Sequence, residues 1–567
     1  MSTLVHALRH AAATSRAEHV FLRPDGTERR VRFDELFEEA QGYGAGFLAE
    51  GARPGDRVAL IVPDPDAFVP AFLGALVAGL VPVPLYPPSS VIKLTAYGST
   101  VSHVLRKAGA KLLLLPRSQR ELLGELLTAA APETRIVEIE ALPREHRSID
   151  VSPRPDDVAL LQFTSGSTSA PKGVVVTHAQ LAANGRSIMF DGLRASGDVD
   201  RGVSWLPLYH DMGLIGFVVA PIFALVPVVF LPTSSFIRRP SSWLAAIHKH
   251  RGTITFAPNF AYALATRAIK DRDLAGWDLS CLRVAGCGAE PISAPVLRAF
   301  ADRFAPAGFR ETAYLPAYGM AEATLALSFS PLGRTLRTDR VDPRALELGE
   351  ATPSTDENAA EIVGCGVALP GTEIRIVGED GSVLGDRKVG EIVVRGPSIA
   401  TGYFDDEEAT KATFGGGFLR TGDLGYLDGD ELFVSGRKKD LIILRGRNYF
   451  PQDIETVVAQ VDGIAEGGCV AFASKLPPSD EESLVIVAEA PLREGRFEAL
   501  EAAVKERVYE TSGLVVGKLV LIRRGTLPRT SSGKVRRAET KRRFVEGELS
   551  LSGEREHVDD HRAENEG

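Results

Sequence analysis

Short apolar runs alternate with helix-length stretches through much of the chain. Arg57-Val-Ala-Leu-Ile-Val, Lys111-Leu-Leu-Leu-Leu, Val158-Ala-Leu-Leu-Gln-Phe and Val226-Pro-Val-Val-Phe-Leu read as buried strands, and helices are predicted over Arg120–Ala130 and Ser242–His250. This alternation predicts α/β layering on largely parallel sheets. Ala67 to Tyr86 is apolar over a length that could span a bilayer. Pro70, Pro82 and Pro84 interrupt it, however, and Val81-Pro-Val-Pro-Leu is extended, so the pattern predicts a buried helix running into a buried strand. An integral membrane protein is not expected.

From Gly371 to Val394 the texture becomes strand, turn and strand, which predicts a small β-rich subdomain. The sharpest boundary falls near Ser435–Asp440, after a hairpin-like segment with a turn signal at Asp428-Gly429. Beyond it lies a unit of about a hundred residues, a common domain size. One helix there is patterned by Phe497, Leu500, Val504 and Val508. The expected organisation is a large N-terminal domain over residues 1–436, a small C-terminal domain over 437–550, and a charged, apolar-poor tail over 551–567 that predicts disorder.

Composition narrows the function classes. At 567 residues the chain is too long for one core, which agrees with several domains. The 65 Lys and Arg against 74 Asp and Glu argue against nucleic acid as the main partner. Cys281, Cys287, Cys365 and Cys469 form neither a CxxC pair nor a zinc spacing, and four are too few for a disulfide scaffold, so a reducing cytoplasm is expected. The first residues carry charges without a continuous apolar core, and no secretion signal is read there.

The first candidate chemistry is Thr164-Ser-Gly-Ser-Thr-Ser-Ala-Pro-Lys-Gly173, which follows a strand. Hydroxyls, a glycine that permits close backbone approach, and a lysine suit a polyphosphate. A plain Ser/Gly surface loop has the same composition. The spacing differs from the common nucleoside-triphosphate loop, and Val174-Val-Val-Thr-His178 reads as a second strand rather than a helix. No helix N-terminus is therefore expected to close on the phosphates.

The loop resembles the phosphate loop of the adenylate-forming superfamily, which includes acyl-CoA synthetases, luciferases and nonribosomal-peptide adenylation domains. Further matches follow in order at Tyr318-Gly-Met-Ala-Glu-Ala-Thr324, Arg420-Thr-Gly-Asp423, Gly436-Arg-Lys-Lys-Asp440 and Pro528-Arg-Thr-Ser-Ser-Gly-Lys534, and together they cover nearly everything from Met1 to about Phe544. The resemblance implies an ATP site of Thr164, Ser165, Gly166, Ser167, Thr168, Lys172, Gly288, Ala289, Tyr318, Gly319, Met320, Asp423 and Arg437. It implies Mg²⁺ on Glu322 and Thr168, catalytic roles for Lys534, His210 and Glu322, and a hinge at Lys439 that makes the small α+β domain a mobile lid. These assignments have physical sense. A carboxylate attacking the α-phosphate of ATP meets like-charge repulsion, so cations must surround both anions. Without the resemblance, Glu322 reads as a surface or capping glutamate, Asp423 as a turn aspartate after Gly422, Tyr318 as core, and Lys534 as a solvated lysine.

Ser204-Trp-Leu-Pro-Leu-Tyr-His-Asp-Met-Gly-Leu-Ile-Gly216, with the YGMAEAT segment and KKDLIILRGRNYFPQDIE, is similar to fatty acyl-AMP ligases rather than typical acyl-CoA synthetases. His210 would then lie near the reacting carboxylate, although a lone histidine between apolar segments also reads as structural. The apolar stretches at Phe217–Phe223 and Phe256–Leu264 read either as an alkyl tunnel or as plain core. The polar segment Pro331–Ile362 reads by composition as a surface excursion. By resemblance it is the insertion that disfavours coenzyme A. The expected activity is ATP- and Mg²⁺-dependent conversion of a medium- or long-chain fatty acid to acyl-AMP and pyrophosphate. The expected acceptor is an acyl carrier protein of polyketide, peptide or lipid assembly. A fatty acyl-CoA synthetase and a silent adenylate-binding regulator are the alternatives.

Overall fold

The computed structural model describes residues 2–88, 94–144, 149–164, 171–444, 447–465, 467–476, 481–491, 497–530 and 535–549. The chain divides into two compact units, Met1–Ser435 and Gly436–Gly567. The fold is α/β, with several stacked sheets and helices in the first unit and an α+β arrangement in the second.

The first unit is organised by a nine-stranded sheet. Its middle is parallel: Val228–Phe230, Gly202–Ser204, Ile254–Ala257, Val284–Cys287 and Tyr314–Gly319 are neighbours in that order. Antiparallel strands close both edges, Glu28–Arg32 on one side and Ala326–Phe329 with Val367–Ala368 on the other. Four fully parallel strands, Val81–Pro84, Arg57–Leu60, Ala110–Leu115 and Arg135–Glu138, form a second sheet. The near-continuous apolar sequences of the first three match burial on both faces, whereas the edge strand Arg135–Glu138 buries only Val137. The expected parallel packing fails at one strand. Val158–Thr164 pairs antiparallel with Lys172–Thr177, with Thr164 opposite Lys172, because a short loop can join only an antiparallel pair.

The apolar stretch after Ala67 is a buried helix, Pro65–Val77, leading into the strand Val81–Pro84. The helix does not break at Pro70 as the proline rule predicts. A proline at this position deprives the Asp66 carbonyl of its helical donor. The Arg29 guanidinium supplies a substitute, donating to that carbonyl at 3.2 Å. Among the described residues, no helix is long and apolar enough to cross a membrane.

The β-rich part is a four-stranded sheet of Glu373–Val377, Gly390–Arg395, Leu419–Asp428 and Glu431–Arg437. The polar segment before it is ordered rather than featureless. Thr338–Val341 pairs antiparallel with Ala360–Val363, and Pro343–Glu347 is a short helix between them. Charge fixes it in place. Arg334 and Arg337 reach the buried Glu431 carboxylate at 3.1 and 2.7 Å, and Arg337 also pairs with Asp428. Asp339 receives Arg387 at 2.8 Å and the Tyr426 hydroxyl at 2.7 Å. Composition missed this order because the anchoring partners lie far along the chain.

In the second unit, Cys469–Lys475, Glu482–Ala490 and Val516–Arg523 form a three-stranded sheet beside helices Pro451–Ala459 and Phe497–Ser512. Val504 and Val508 are buried against that sheet and Leu500 half-buried, whereas Phe497 is exposed at the helix start. Arg537 pairs with Asp440 at 3.1 Å and Glu455 at 2.5 Å, and its Nε donates to the Ala471 carbonyl.

Candidate active site

Parallel strands end at one edge of their sheet, and the loops leaving those ends form a crevice. Three strand ends carry the candidate residues, the last two being neighbours and the first separated from them by Ile254–Ala257. Gly202–Ser204 leads to His210, Val284–Cys287 leads to Gly288 and Ala289, and Tyr314–Gly319 leads to Met320 and Glu322. A Cβ on Gly288 would lie 2.7 Å from the Ala317 carbonyl oxygen, so the neighbouring strand excludes any side chain there. Ala289 follows with φ 70°, an uncommon value for a residue with a Cβ. The Met320 amide donates to the Leu325 carbonyl at 2.8 Å, closing a tight turn that carries Glu322.

Tyr318 and Asp423 come from different sheets, and the structure joins them. The Tyr318 hydroxyl donates to Asp423 Oδ2 at 2.8 Å, and both residues are buried. Asp423 is not in a turn, as its sequence neighbours predict, but inside the strand Leu419–Asp428. Gly422 makes the difference. Its φ of 71° puts a left-handed residue in the strand, where the register against Gly390–Arg395 shifts. The Asp423 amide donates to Thr421 Oγ1 at 3.0 Å, and Thr421 Oγ1 donates to the Ile392 carbonyl at 2.7 Å.

His210 precedes the short helix Asp211–Leu214, its carbonyl accepting from the Leu214 amide at 2.8 Å. The adjacent Tyr209 carbonyl receives the Gln162 side-chain amide at 2.9 Å, which ties this loop to the strand that leads into the phosphate-loop motif. Gln162 was legible as a lone polar side chain in a buried run, because such a group needs a partner. Lys172 begins the returning strand, and its Nζ lies 5.0 Å from the centre of the Tyr403 ring. The Tyr403 hydroxyl donates to Glu322 Oε1 at 2.8 Å. Tyr403 itself gave no sequence signal beyond a short Gly-Tyr-Phe run.

Thus Lys172, Glu322, Tyr318 and Asp423 are each held by a specific contact, and Gly288, Ala289, Gly319, Met320 and His210 follow or end parallel strands of one sheet. Thr164 is the last residue of its strand. Ser165, Gly166, Ser167, Thr168 and Lys534 lie outside the described residues. Arg437 and Lys439 belong to the second unit, Arg437 ending the strand Glu431–Arg437 and Lys439 in the turn Lys438–Asp440. Cys287 is fully buried and its thiol is pushed well above the ordinary range by that burial, so it is unsuited as a nucleophile.

Comparison with known proteins decides the family. The model for AMP-binding enzymes matches residues 8–404. The chain belongs to that family. Residues 439–554 of this AMP-binding enzyme match the Disco-interacting protein 2-like AMP domain. It is 38% identical over 553 residues to a putative acyl-CoA synthetase of Caulobacter vibrioides, with 96% of each chain covered. It is 30% identical to the medium-chain-fatty-acid–[acyl-carrier-protein] ligase TtuA of Teredinibacter turnerae, over 97% of this chain and 94% of TtuA. A solved structure from studies of fatty acyl-adenylate ligases of E. coli and L. pneumophila superposes with a TM-score of 0.90 at 38% identity, covering 96% of this chain and 98% of that one.

Proposed function

We propose that this AMP-binding enzyme is a fatty acyl-AMP ligase. A fatty-acid carboxylate oxygen attacks the α-phosphorus of ATP, the bond from that phosphorus to the bridging oxygen breaks, and pyrophosphate leaves. The observation that carries the reading is the Tyr318–Asp423 hydrogen bond at the carboxyl edge of the parallel strands, with the Lys172–Tyr403–Glu322 contacts reaching the same Tyr318–Glu322 segment. These contacts support a nucleoside site beside a phosphate site. Asp423 accepts from the ribose hydroxyls, Tyr318 packs on adenine, and Lys172 with Thr164–Thr168 contacts the polyphosphate. His210 donates near the reacting carboxylate, and Arg437 and Lys534 act from the second unit with Lys439 as its hinge.

Glu322 fits a magnesium site. Among the described residues no cluster of three or more His, Cys, Asp or Glu could cage a metal alone. Mg²⁺ is commonly held by one or two carboxylates together with substrate phosphates, which a single Glu322 with Thr168 satisfies. The ion would neutralise phosphate charge against the incoming carboxylate.

The names of the similar proteins support fatty acid as the substrate and, through TtuA, a carrier protein as the acyl acceptor. The Caulobacter relative keeps acyl-CoA synthesis as the second reading. All four cysteines are free, which suits a reducing compartment such as the cytoplasm. Incubation with ATP, Mg²⁺ and a fatty-acid panel, with and without coenzyme A, separates these by product mass. Acyl-AMP and pyrophosphate with little acyl-CoA are expected, and abundant acyl-CoA moves the protein to the synthetase branch. Absence of pyrophosphate release points to the silent regulator.

Two variants test parts of this reading. Asp423→Ala is expected to weaken ATP binding by about 1.5–3 kcal/mol, because a charged hydrogen-bond acceptor is lost. Calorimetry showing unchanged affinity places Asp423 outside the nucleotide site. Excising the Thr338–Val363 hairpin is expected to raise acyl-CoA output, since the ordered insertion is proposed to restrict access of coenzyme A. A folded deletion still inert toward coenzyme A removes that explanation.

A further inference from the structure

Lys172 and Glu322 carry opposite charges and come from different parts of the fold, yet both touch one side chain. Gly402–Tyr403 pairs antiparallel with the strand that Lys172 begins, Tyr403 opposite Val174. The Phe404 amide donates to the Gly173 carbonyl at 2.7 Å, which pins this segment beside Lys172. The Ala400 amide donates to the Glu322 carbonyl at 2.8 Å, so the same segment also holds the Glu322 backbone. Phe414 meets the Tyr403 ring edge-on at 5.5 Å, and the Tyr403 amide donates to Thr410 Oγ1 at 2.9 Å. The ring is therefore fixed from both sides of its backbone.

We propose that Tyr403 is a positioning residue for metal–nucleotide binding. Its hydroxyl, donating to Oε1, orients the Glu322 carboxylate, and its face holds the Lys172 ammonium by a cation–π contact. The inference rests on the reading in which Lys172 meets the polyphosphate and Glu322 the Mg²⁺. A flexible glutamate and lysine sharing a site lose binding energy to rotamer freedom and to pairing with each other. One aromatic ring that gives each its own partner prepares both before ATP arrives.

The test uses the full chain and equilibrium binding of α,β-methylene-ATP by calorimetry across a Mg²⁺ titration, alongside acyl-AMP formation. Tyr403→Phe keeps the ring and removes the hydroxyl. It is expected to raise the Mg²⁺ midpoint about tenfold, with affinity near parental at saturating Mg²⁺. Tyr403→Leu is expected to weaken binding at saturating Mg²⁺ as well, because the π-face over Lys172 is lost. Glu322→Gln and Lys172→Ala are measured in parallel. On the Glu322→Gln background Tyr403→Phe should add little, a coupling that a merely structural tyrosine would not show. A parental Mg²⁺ midpoint for Tyr403→Phe, with Glu322→Gln and Lys172→Ala impaired, overturns the role of Tyr403 alone. Parental binding by both Glu322→Gln and Lys172→Ala overturns the underlying site reading with it. Additive effects of Tyr403→Phe and Glu322→Gln also overturn the proposal.

Discussion

Lys534→Ala is expected to slow acyl-AMP formation by about 10²–10³-fold while changing ATP affinity little. Negative charge develops between the attacking carboxylate and the α-phosphate only as the reaction proceeds. An ammonium placed there stabilises the transition state more than the bound substrates, so its loss appears in the rate. The described residues on either side of Lys534 pair with one another. The Arg536 amide donates to the Pro528 carbonyl at 2.8 Å, and Arg529 bridges to Val535, the residue after Lys534. Single-turnover adenylation with ATP binding measured separately checks the split, and a parental rate removes Lys534 from the chemistry.

Asp200→Ala is expected to destabilise the first unit by about 3–5 kcal/mol. The Asp200 side chain is 1% exposed and meets Arg283 through two bonds of 2.7 and 2.8 Å. Thr253 Oγ1 donates to it at 2.7 Å and the Ser196 amide at 3.0 Å. Asp200, Thr253 and Arg283 lie just before Gly202–Ser204, Ile254–Ala257 and Val284–Cys287, so one carboxylate clamps the amino ends of three adjacent strands. Removing it leaves the guanidinium without this counter-charge. Burial alone would raise the Asp200 carboxyl, but the bonds from Arg283, Thr253 and Ser196 outweigh it and hold the carboxyl below its ordinary range. A depressed carboxylate contributes stability above its unfolded value, near roughly 4, and loses it as the pH falls through the lower folded value. Urea midpoints should therefore show a large loss for the variant at neutral pH, and a smaller gap to the parent in strong acid. A neutral-pH midpoint within error of the parent contradicts the clamp.

The strand runs at Arg57, Lys111 and Val158 were legible because burial on both faces leaves a continuous apolar run. Direction was not, since the run at Val158 looks the same in a parallel or an antiparallel partner. The motifs located the candidate residues along the chain, but not the contacts between them. Nothing near Asp423 announces Tyr318, and Tyr403 sits 81 residues from the glutamate it touches. Gly422 was read correctly as conformationally special and wrongly as a turn, because a left-handed glycine serves a bulge as readily. At Pro70 the local rule lost to a guanidinium from a distant strand.

The polar segment Thr338–Val363 leaves and rejoins the rest of the chain with its two ends side by side. The Gly364 amide donates to the Arg337 carbonyl at 2.9 Å, immediately outside the paired Thr338 and Val363. Everything between them could therefore be removed and the chain rejoined with a tight two-residue bend, at the loss of the backbone bonds that Gly349 and Ala351 make with Val389 and Arg387. The scar would be electrostatic rather than topological. Arg387 and Tyr426 would lose the Asp339 carboxylate, while Arg337 would keep Glu431 and Asp428. The same geometry makes the hairpin transplantable, so an acyl-CoA-forming relative with a comparable edge could receive it together with Arg387 and Tyr426.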